Sequence, residues 1–440
     1  MTIAIGLGEF VLQGFELVTG LELLPTLFAI PNQFIFVFSA AIVLGIIAGL
    51  YPAIYITRFK PVRVLKGIVE TNEKGGLRNG LVLFQFAISI CLLIVSLFVF
   101  NQLNYIQDKD KGFDTENVLV IENIHKVSEH GLFIKDELAK KSYVETVSTN
   151  RRVPAGSNMS IAQVNTEEDK EVWMQVFLGD ENYLDCLGYH LIEGRNFSKD
   201  LITDTASIIL NESAVAELGF TDPIGKKLND GTRRIIGVVS DFNFKSLKER
   251  IEPAMLTYSP YNDEFITVKY RTENSDALLQ DVAELWDGIN TQAELRYHFL
   301  DENFAQLVEK EKILSKAVLM FTILAMFISC LGLYGLSIFT AERRTKEIGI
   351  RRVLGASISN ITKLLSQNFA KPILIAFIVA IPVAYLITQN WLNNYEYRIG
   401  IEWWPFATGG VIALSLGLIT ISWQSIRTAL KNPVESLRTE

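Results

Sequence analysis

The sequence predicts an α-helical transmembrane bundle, with five clear spans and a sixth partial one, into which an α+β extracytoplasmic domain is inserted. Three observations carry this. The 440 residues are 49% hydrophobic and only 20% charged, with a mean hydropathy of +0.25, too apolar for an ordinary soluble protein. Five runs reach the roughly 20 apolar residues that a helix needs to cross a hydrocarbon core of ~30 Å. Between them, residues 101–313 form a polar block with 23 Lys+Arg against 38 Asp+Glu, so the net charge of −8 separates into −15 in this block and +7 elsewhere.

Taken in chain order, Thr2–Val18 is the partial span, apolar but carrying Glu9 and Glu16. Met1 is not followed by a basic stretch, an apolar stretch and a small-residue cleavage site, so no cleavable signal peptide is expected. Phe34–Ile56 is the first clear span. The stretch Thr57–Asn79 holds Arg58, Lys60, Arg63, Lys66, Lys74 and Arg78 against Glu70 and Glu73, which marks it as cytoplasmic. Leu81–Phe100 and Lys316–Thr340 flank the polar block, and Leu103, Ile106, Phe304, Leu307 and Leu314 recur at helical spacing, so both spans are expected to run outward as a stalk. The basic stretch Ala341–Ala370 is cytoplasmic. Pro372–Ile387, with room to extend back through Phe369, and Pro405–Ile426 complete the spans. The loop between these last two has one basic residue, Arg398, and belongs outside, whereas the tail with Arg427, Lys431 and Arg438 returns to the cytoplasm. Counting crossings places 101–313 outside, in agreement with the charges.

Within the polar block, Asn117–Glu122, Trp173–Leu178, Ala206–Leu210, Arg234–Ser240 and Phe265–Tyr270 read as strands, being rich in β-branched or aromatic residues and bounded by turn residues. Helical patterns fall at Leu132–Lys140, Ser213–Leu218 and Asp276–Asn290. Its chemistry is sparse. His125, His130, His190 and His298 lack metal-ligand spacing to one another or to Cys186, and read as scattered surface or core residues. Gly219–Lys227 looks like a phosphate loop but has five residues between the glycines where four are needed, and Lys227 where a magnesium-binding hydroxyl belongs. Glu167-Glu168-Asp169 reads as a solvated turn, and no nucleophile elbow is present. Three cysteines, two of them in apolar runs, exclude a disulfide framework, and an acidic block disfavours nucleic-acid binding.

The two apolar ends align without a gap at an offset of 372, Pro61-Val62 on Pro433-Val434 and Leu65 on Leu437, as expected of a transporter built from two halves. Met1 then aligns with Ile373, inside a span, so the expectation is a whole second half preceded by the end of a first in residues 1–66, with 67–80 as linker. Gly45-x-x-x-Gly49 offers a site of close helix approach.

The segment from Ala341 reads AERRTKEIGIRRVLGASISNITKLLSQNFAK. Glu342 precedes Lys346 by four and Glu347 precedes Arg351 by four, the orientation that supports an exposed helix, and Gly355 suits its C-cap. A second amphipathic helix carries Ile358, Ile361, Leu364, Leu365 and Phe369 on one face. Physics alone leaves two roles open for the first helix, attraction to anionic headgroups or docking on a cytosolic partner.

RRTKEIGIRRVLGAS resembles the signature of the FtsX-like permease family of ABC transporters. LGYHLIEGRNF (187–197), IILNESAVAELGFTDPIGKKL (208–228) and IIGVVSDFNFKSLKERIEP (235–253) are similar to that family's external domain of the macrolide-exporter type, and NPVESLR to its tail. The resemblance implies a permease that is not an enzyme and holds no cofactor, ATP being bound by a separate cytosolic ATPase subunit. It also implies a coupling helix against that ATPase, formed by position from Glu342, Arg343, Arg344, Thr345, Lys346, Glu347, Ile348, Gly349, Ile350, Arg351, Arg352, Leu354, Gly355, Ala356 and Ser357. These residues would transmit movement to the external domain through Leu81–Phe100 and Lys316–Thr340, for export or mechanotransmission in a bacterial cytoplasmic membrane. Other expected partners are membrane lipid, a missing first half or a second copy, and an extracytoplasmic protein. The competing expectations are a membrane-anchored receptor with an external ligand-binding domain, disfavoured by cytoplasmic segments of about 30 residues, and an inactive fragment of a larger permease.

Overall fold

The computed structural model describes residues 2–20, 35, 38–43, 45–46, 50 and 76–429, apart from 157–159, 167–169, 229–230, 246–247, 261–263, 272–273, 290–292, 344–349, 352–353 and 356. It comprises a helical unit, Met1–Asn101, Ile313–Asn390 and Gly400–Glu440, and an α+β unit, Gln102–Lys312 with Trp391–Ile399.

Among the described residues four helices are long and apolar enough to cross a membrane: Gly80–Asp108, Glu309–Thr340, Phe369–Leu392 and Trp404–Arg427. The expected count of five clear spans and a partial sixth is thus not confirmed. Phe34–Ile56 lies largely outside the described residues, as do Gly49, the 61–66 part of the repeat and its 433–438 counterpart. Thr2–Thr19 is a helix but is not one of the four.

Two helices outrun the runs that predict them. The Gly76–Asp108 helix continues past Phe100 because Leu103 and Ile106 extend its buried stripe. The separate amphipathic helix expected before Pro372 does not exist as such, since one helix spans Ile358–Leu392 with Pro372 and Pro382 inside it. The reason is a packed stripe of Phe369, Ile373, Ala376, Ala380 and Ala384, which runs at helical period straight across the expected boundary. Within a membrane-type bundle the hydrogen bond lost at proline is made good by neighbouring groups. Glycine brings the Trp404–Ala429 helix close to its neighbours: a Cβ at Gly409 would lie 2.7 Å from Ile94 Cγ1, and one at Gly417 2.5 Å from Ile373 Cδ1.

Among the described residues the α+β unit contains eleven strands: β1 (Val118–Ile121), β2 (Val144–Asn150), β3 (Ile161–Asn165), β4 (Glu171–Gly179), β5 (Leu191–Gly194), β6 (Ser207–Asn211), β7 (Lys227–Leu228), β8 (Arg233–Val239), β9 (Ala254–Tyr258), β10 (Phe265–Tyr270) and β11 (Tyr297–Phe299). They form one mixed sheet in the order β11-β1-β10-β2-β4-β9-β6-β8-β5, with β3 beside β4 and β7 beside β8. Alternation places Val118 and Val120 in one core and Leu119 and Ile121 in another, so both faces of β1 are covered and its sequence is an unbroken apolar run. The first core is aromatic, with Phe242 packed against Tyr189, Phe177 and Phe244. The second lies under the helices Ser128–Ala139 and Ser275–Gly288, and a third, around Ile208 and Leu210, under Glu212–Leu218.

The five predicted strands form, and six more do so unpredicted. β2 shows why. Its sequence, VETVSTN, is polar, yet Ser148, Thr149 and Asn150 are buried because Asp180 accepts hydrogen bonds from Ser148 Oγ at 2.8 Å and Thr149 N at 2.6 Å and pairs with Lys135 Nζ at 2.7 Å. Asp180 follows the single residue pair, Asn150 with Gly179, that joins β2 to β4 and so unites the two halves of the sheet.

Candidate functional site

The fifteen residues expected to contact a partner lie at the end of the Glu309–Arg343 helix and in the segment that leads to the Ile358–Leu392 helix. Glu342 and Arg343 end the first helix. Arg344, Thr345, Lys346, Glu347, Ile348, Gly349, Arg352 and Ala356 lie outside the described residues. Ile350 and Arg351 are helical and exposed, and Leu354 N–H donates to Ile350 O at 3.0 Å, closing one helical turn. Gly355 follows with φ +92°, the left-handed conformation in which helices commonly end and which costs glycine least. Ser357 Oγ then accepts from Asn360 N–H at 3.2 Å, the bond an N-cap makes to its third residue, and starts the next helix. The outcome is a tight turn that leaves Leu354 81% exposed beside a basic residue.

Within the helical unit, Ser89 and Ser329 share a hydrogen bond of 2.9 Å between the Gly76–Asp108 and Glu309–Arg343 helices. Beside it, a Cβ at Gly332 would meet Gln85 Oε1 at 3.0 Å. These two helices are thus joined by small and polar side chains, which permit close approach.

Within the α+β unit, sequence reasoning missed a clamp. Gln102, fully buried, donates from Nε2 to Tyr397 O at 2.7 Å and accepts at Oε1 from Ile399 N–H at 2.9 Å, so its amide pairs with the 391–399 segment as a peptide group would. Ile106, Val308 and Tyr395 pack together with Trp391 at their side. Glu396 N–H donates to Lys248 O at 3.0 Å, and Lys248 forms an ion pair with Glu311. Burial, and then the charge of Glu311, push the Tyr395 hydroxyl up to about 12. A glutamine at the end of an apolar run and the Trp391/Tyr395 pair at i, i+4 were the only signals available, and neither names its partner.

Other candidate residues have structural roles. Gly219, from the rejected phosphate loop, caps the Glu212–Leu218 helix at φ +75°. Cys186 is buried, with Sγ 3.3 Å from Thr267 O, and desolvation, reinforced by Asp180, pushes its thiol up to about 12, leaving it unreactive. Among the described residues no group of three or more His, Cys, Asp or Glu is placed to hold a metal ion. Glu167-Glu168-Asp169 lies outside them.

Residues 319–433 match the FtsX-like permease C-terminal family, and residues 81–285 match the MacB-like periplasmic core domain family. The macrolide export ATP-binding/permease protein MacB of Sodalis glossinidius (strain morsitans) is 25% identical over 69% of this chain and 48% of its own length. The protein of the same description from Aggregatibacter actinomycetemcomitans is 24% identical over 61% of this chain and 41% of its own. The chain thus spans about half the length, or less, of these curated relatives. The crystal structure of the periplasmic region of MacB from Actinobacillus actinomycetemcomitans covers 46% of this chain and 97% of its own at 22% identity, with a TM-score of 0.34.

Proposed function

Since the chain belongs to the FtsX-like permeases that carry a MacB-like periplasmic core domain, we propose that it is the transmembrane subunit of an ABC transporter in a bacterial cytoplasmic membrane, driven by an ATPase on a separate subunit. Family membership makes it a multi-pass membrane permease with a periplasmic-type domain. The coupling is our reading. The observation that carries it is the exposed turn at Ile350–Gly355, with Leu354 bare and Arg351 exposed between two long helices. An ATPase that closes on ATP would push this turn. The movement would pass along the serine-linked helix pair, and the Gln102 clamp would carry it into the 391–399 segment. Export of a substrate, or a purely mechanical output on an external protein, would follow from the same motion.

The test is purification from native membranes with identification of the cytosolic ATPase that accompanies the protein. Reversing charge at Arg351 and Arg352, or Leu354→Asp, is expected to abolish that association while membrane insertion persists. Unchanged association would remove the turn from the coupling role.

A further inference from the structure

The α+β unit holds a cavity of about 230 Å³ that the transport reading does not use. Five separate segments build it: Glu122 just after β1, the turn Arg152–Gly156 after β2, Phe265 on β10, His298 on β11, and Asn303 on the Leu300–Leu307 helix. Val153 and Phe265 give it an apolar wall.

Its polar groups are incompletely satisfied in a complementary way. The guanidinium of Arg152 makes no hydrogen bond or ion pair among the described residues, although burial pulls its pKa below the ordinary arginine value against the opposing charge of Glu264. A partly desolvated cation whose donors are unbonded is costly, and a bidentate carboxylate is the group its planar fork matches best. Glu122 Oε1 lies 2.9 Å from His298 Nδ1, so Glu122 retains a second carboxylate oxygen. In the neutral imidazole with Nδ1 donating to that carboxylate, His298 Nε2 is an acceptor, and this nitrogen is buried with no hydrogen-bond partner among the described residues. The cavity therefore offers one strong donor fork and, apart from it, two acceptors suited to an ammonium group. The backbone around it is also strained: Ala155 has φ +61°, held by its N–H on Phe244 O at 3.0 Å. Strain of this kind in a residue other than glycine persists where the surroundings enforce it, and it gathers at ligand sites. The volume falls below the roughly 300–1,000 Å³ of pockets for drug-sized ligands, which leaves molecules of a few heavy atoms.

We propose that this cavity binds a small zwitterion of the amino-acid class, with its carboxylate on Arg152, its ammonium group on Glu122 and His298 Nε2, and its side chain against Val153 and Phe265. Such a site would let the extracytoplasmic unit sense a metabolite, independently of the ATPase.

Isothermal titration of the full chain in detergent, at fixed ionic strength, with each standard amino acid alone tests it, with acetate and methylammonium as the two half-ligands. At least one amino acid is expected to bind, with acetate and methylammonium each at least tenfold weaker. Arg152→Gln and Glu122→Gln are each expected to weaken it tenfold or more, near-ultraviolet dichroism reporting that the fold is kept. Absence of amino-acid binding to the unaltered protein overturns the proposal, as does acetate binding as tightly as the amino acid, or undiminished affinity in a folded Arg152→Gln variant. If one variant does not fold, the other and the half-ligands still decide. No ATPase is present in this measurement, so its failure leaves the transport reading standing.

Discussion

The two units of this chain differ in what they leave exposed. In the α+β unit the interior is aliphatic and aromatic, with Ile209, Leu256 and Phe242 inaccessible and the buried Asp180 held by hydrogen bonds and an ion pair. In the helical unit large apolar side chains face outward, Phe84, Ile378, Ile419 and Trp423 all more than 60% exposed, while Ser89, Ser329, Thr388 and a row of alanines lie inside. One polypeptide thus follows two solvent rules. Water drives the first unit to hide its carbon, whereas in lipid there is no such drive, and close packing of small residues takes its place.

Five substitutions would break or sharpen this contrast. The largest effect is expected from Asp180→Ala, which strands Lys135 and the donors of Ser148 and Thr149 in the interior. A loss of about 3–5 kcal/mol is expected, read as accelerated hydrogen exchange across β2 and β4. Next, Ile209→Ala should cost about 2–5 kcal/mol, the range for truncating a buried isoleucine, while Ile419→Ala in the helical unit should change detergent-phase thermal stability little. Equal losses at the two positions would erase the contrast. A smaller effect concerns acid. Arg195 reaches Asp204 with two bonds of 2.7 Å and holds its carboxyl below the usual carboxylate range. Stability from this pair is therefore present above the ordinary carboxylate pKa of about 4 and is lost as pH falls through the lowered value. Because Arg195 is nearly half exposed, Asp204→Asn should cost no more than about 1 kcal/mol at pH 7. In denaturant titrations the gap from the unaltered protein should close at low pH. The smallest effect is Ser89→Ala, which should cost about 0.6 kcal/mol, the average for hydrogen bonds between membrane helices, measured by thermal unfolding in detergent.

Legibility followed the kind of burial. Phe265–Tyr270 was readable because its own side chains alternate and fill the core. β2 was not, because what buries its polar face is Asp180, about thirty residues away and invisible to any local pattern. β9 hid for another reason: five residues directly after Pro253 are too few to show a period. In the helical unit, length and apolarity announced the spans, but not that one stripe of alanines would fuse the expected amphipathic helix to the span after it. The turn at Gly355 could be read from glycine alone, and the exposure of Leu354 could not, since a leucine next to arginines is equally a core residue of a small helix. The cavity had no signature, because Glu122, Arg152, His298 and Asn303 come from four segments and share no spacing.

The Gln102 clamp also sets an order of assembly. All eleven strands are present once Phe299 has been made, so the sheet can close while the rest of the chain is still being synthesised. The backbone groups that satisfy Gln102 belong to Tyr397 and Ile399, nearly three hundred residues further on. Until then a buried-type amide stands open at the end of its helix, and the ordering of the closing segment waits for two more helices to be threaded. The α+β unit is therefore completed in two instalments, a sheet that forms early and a seal that arrives last.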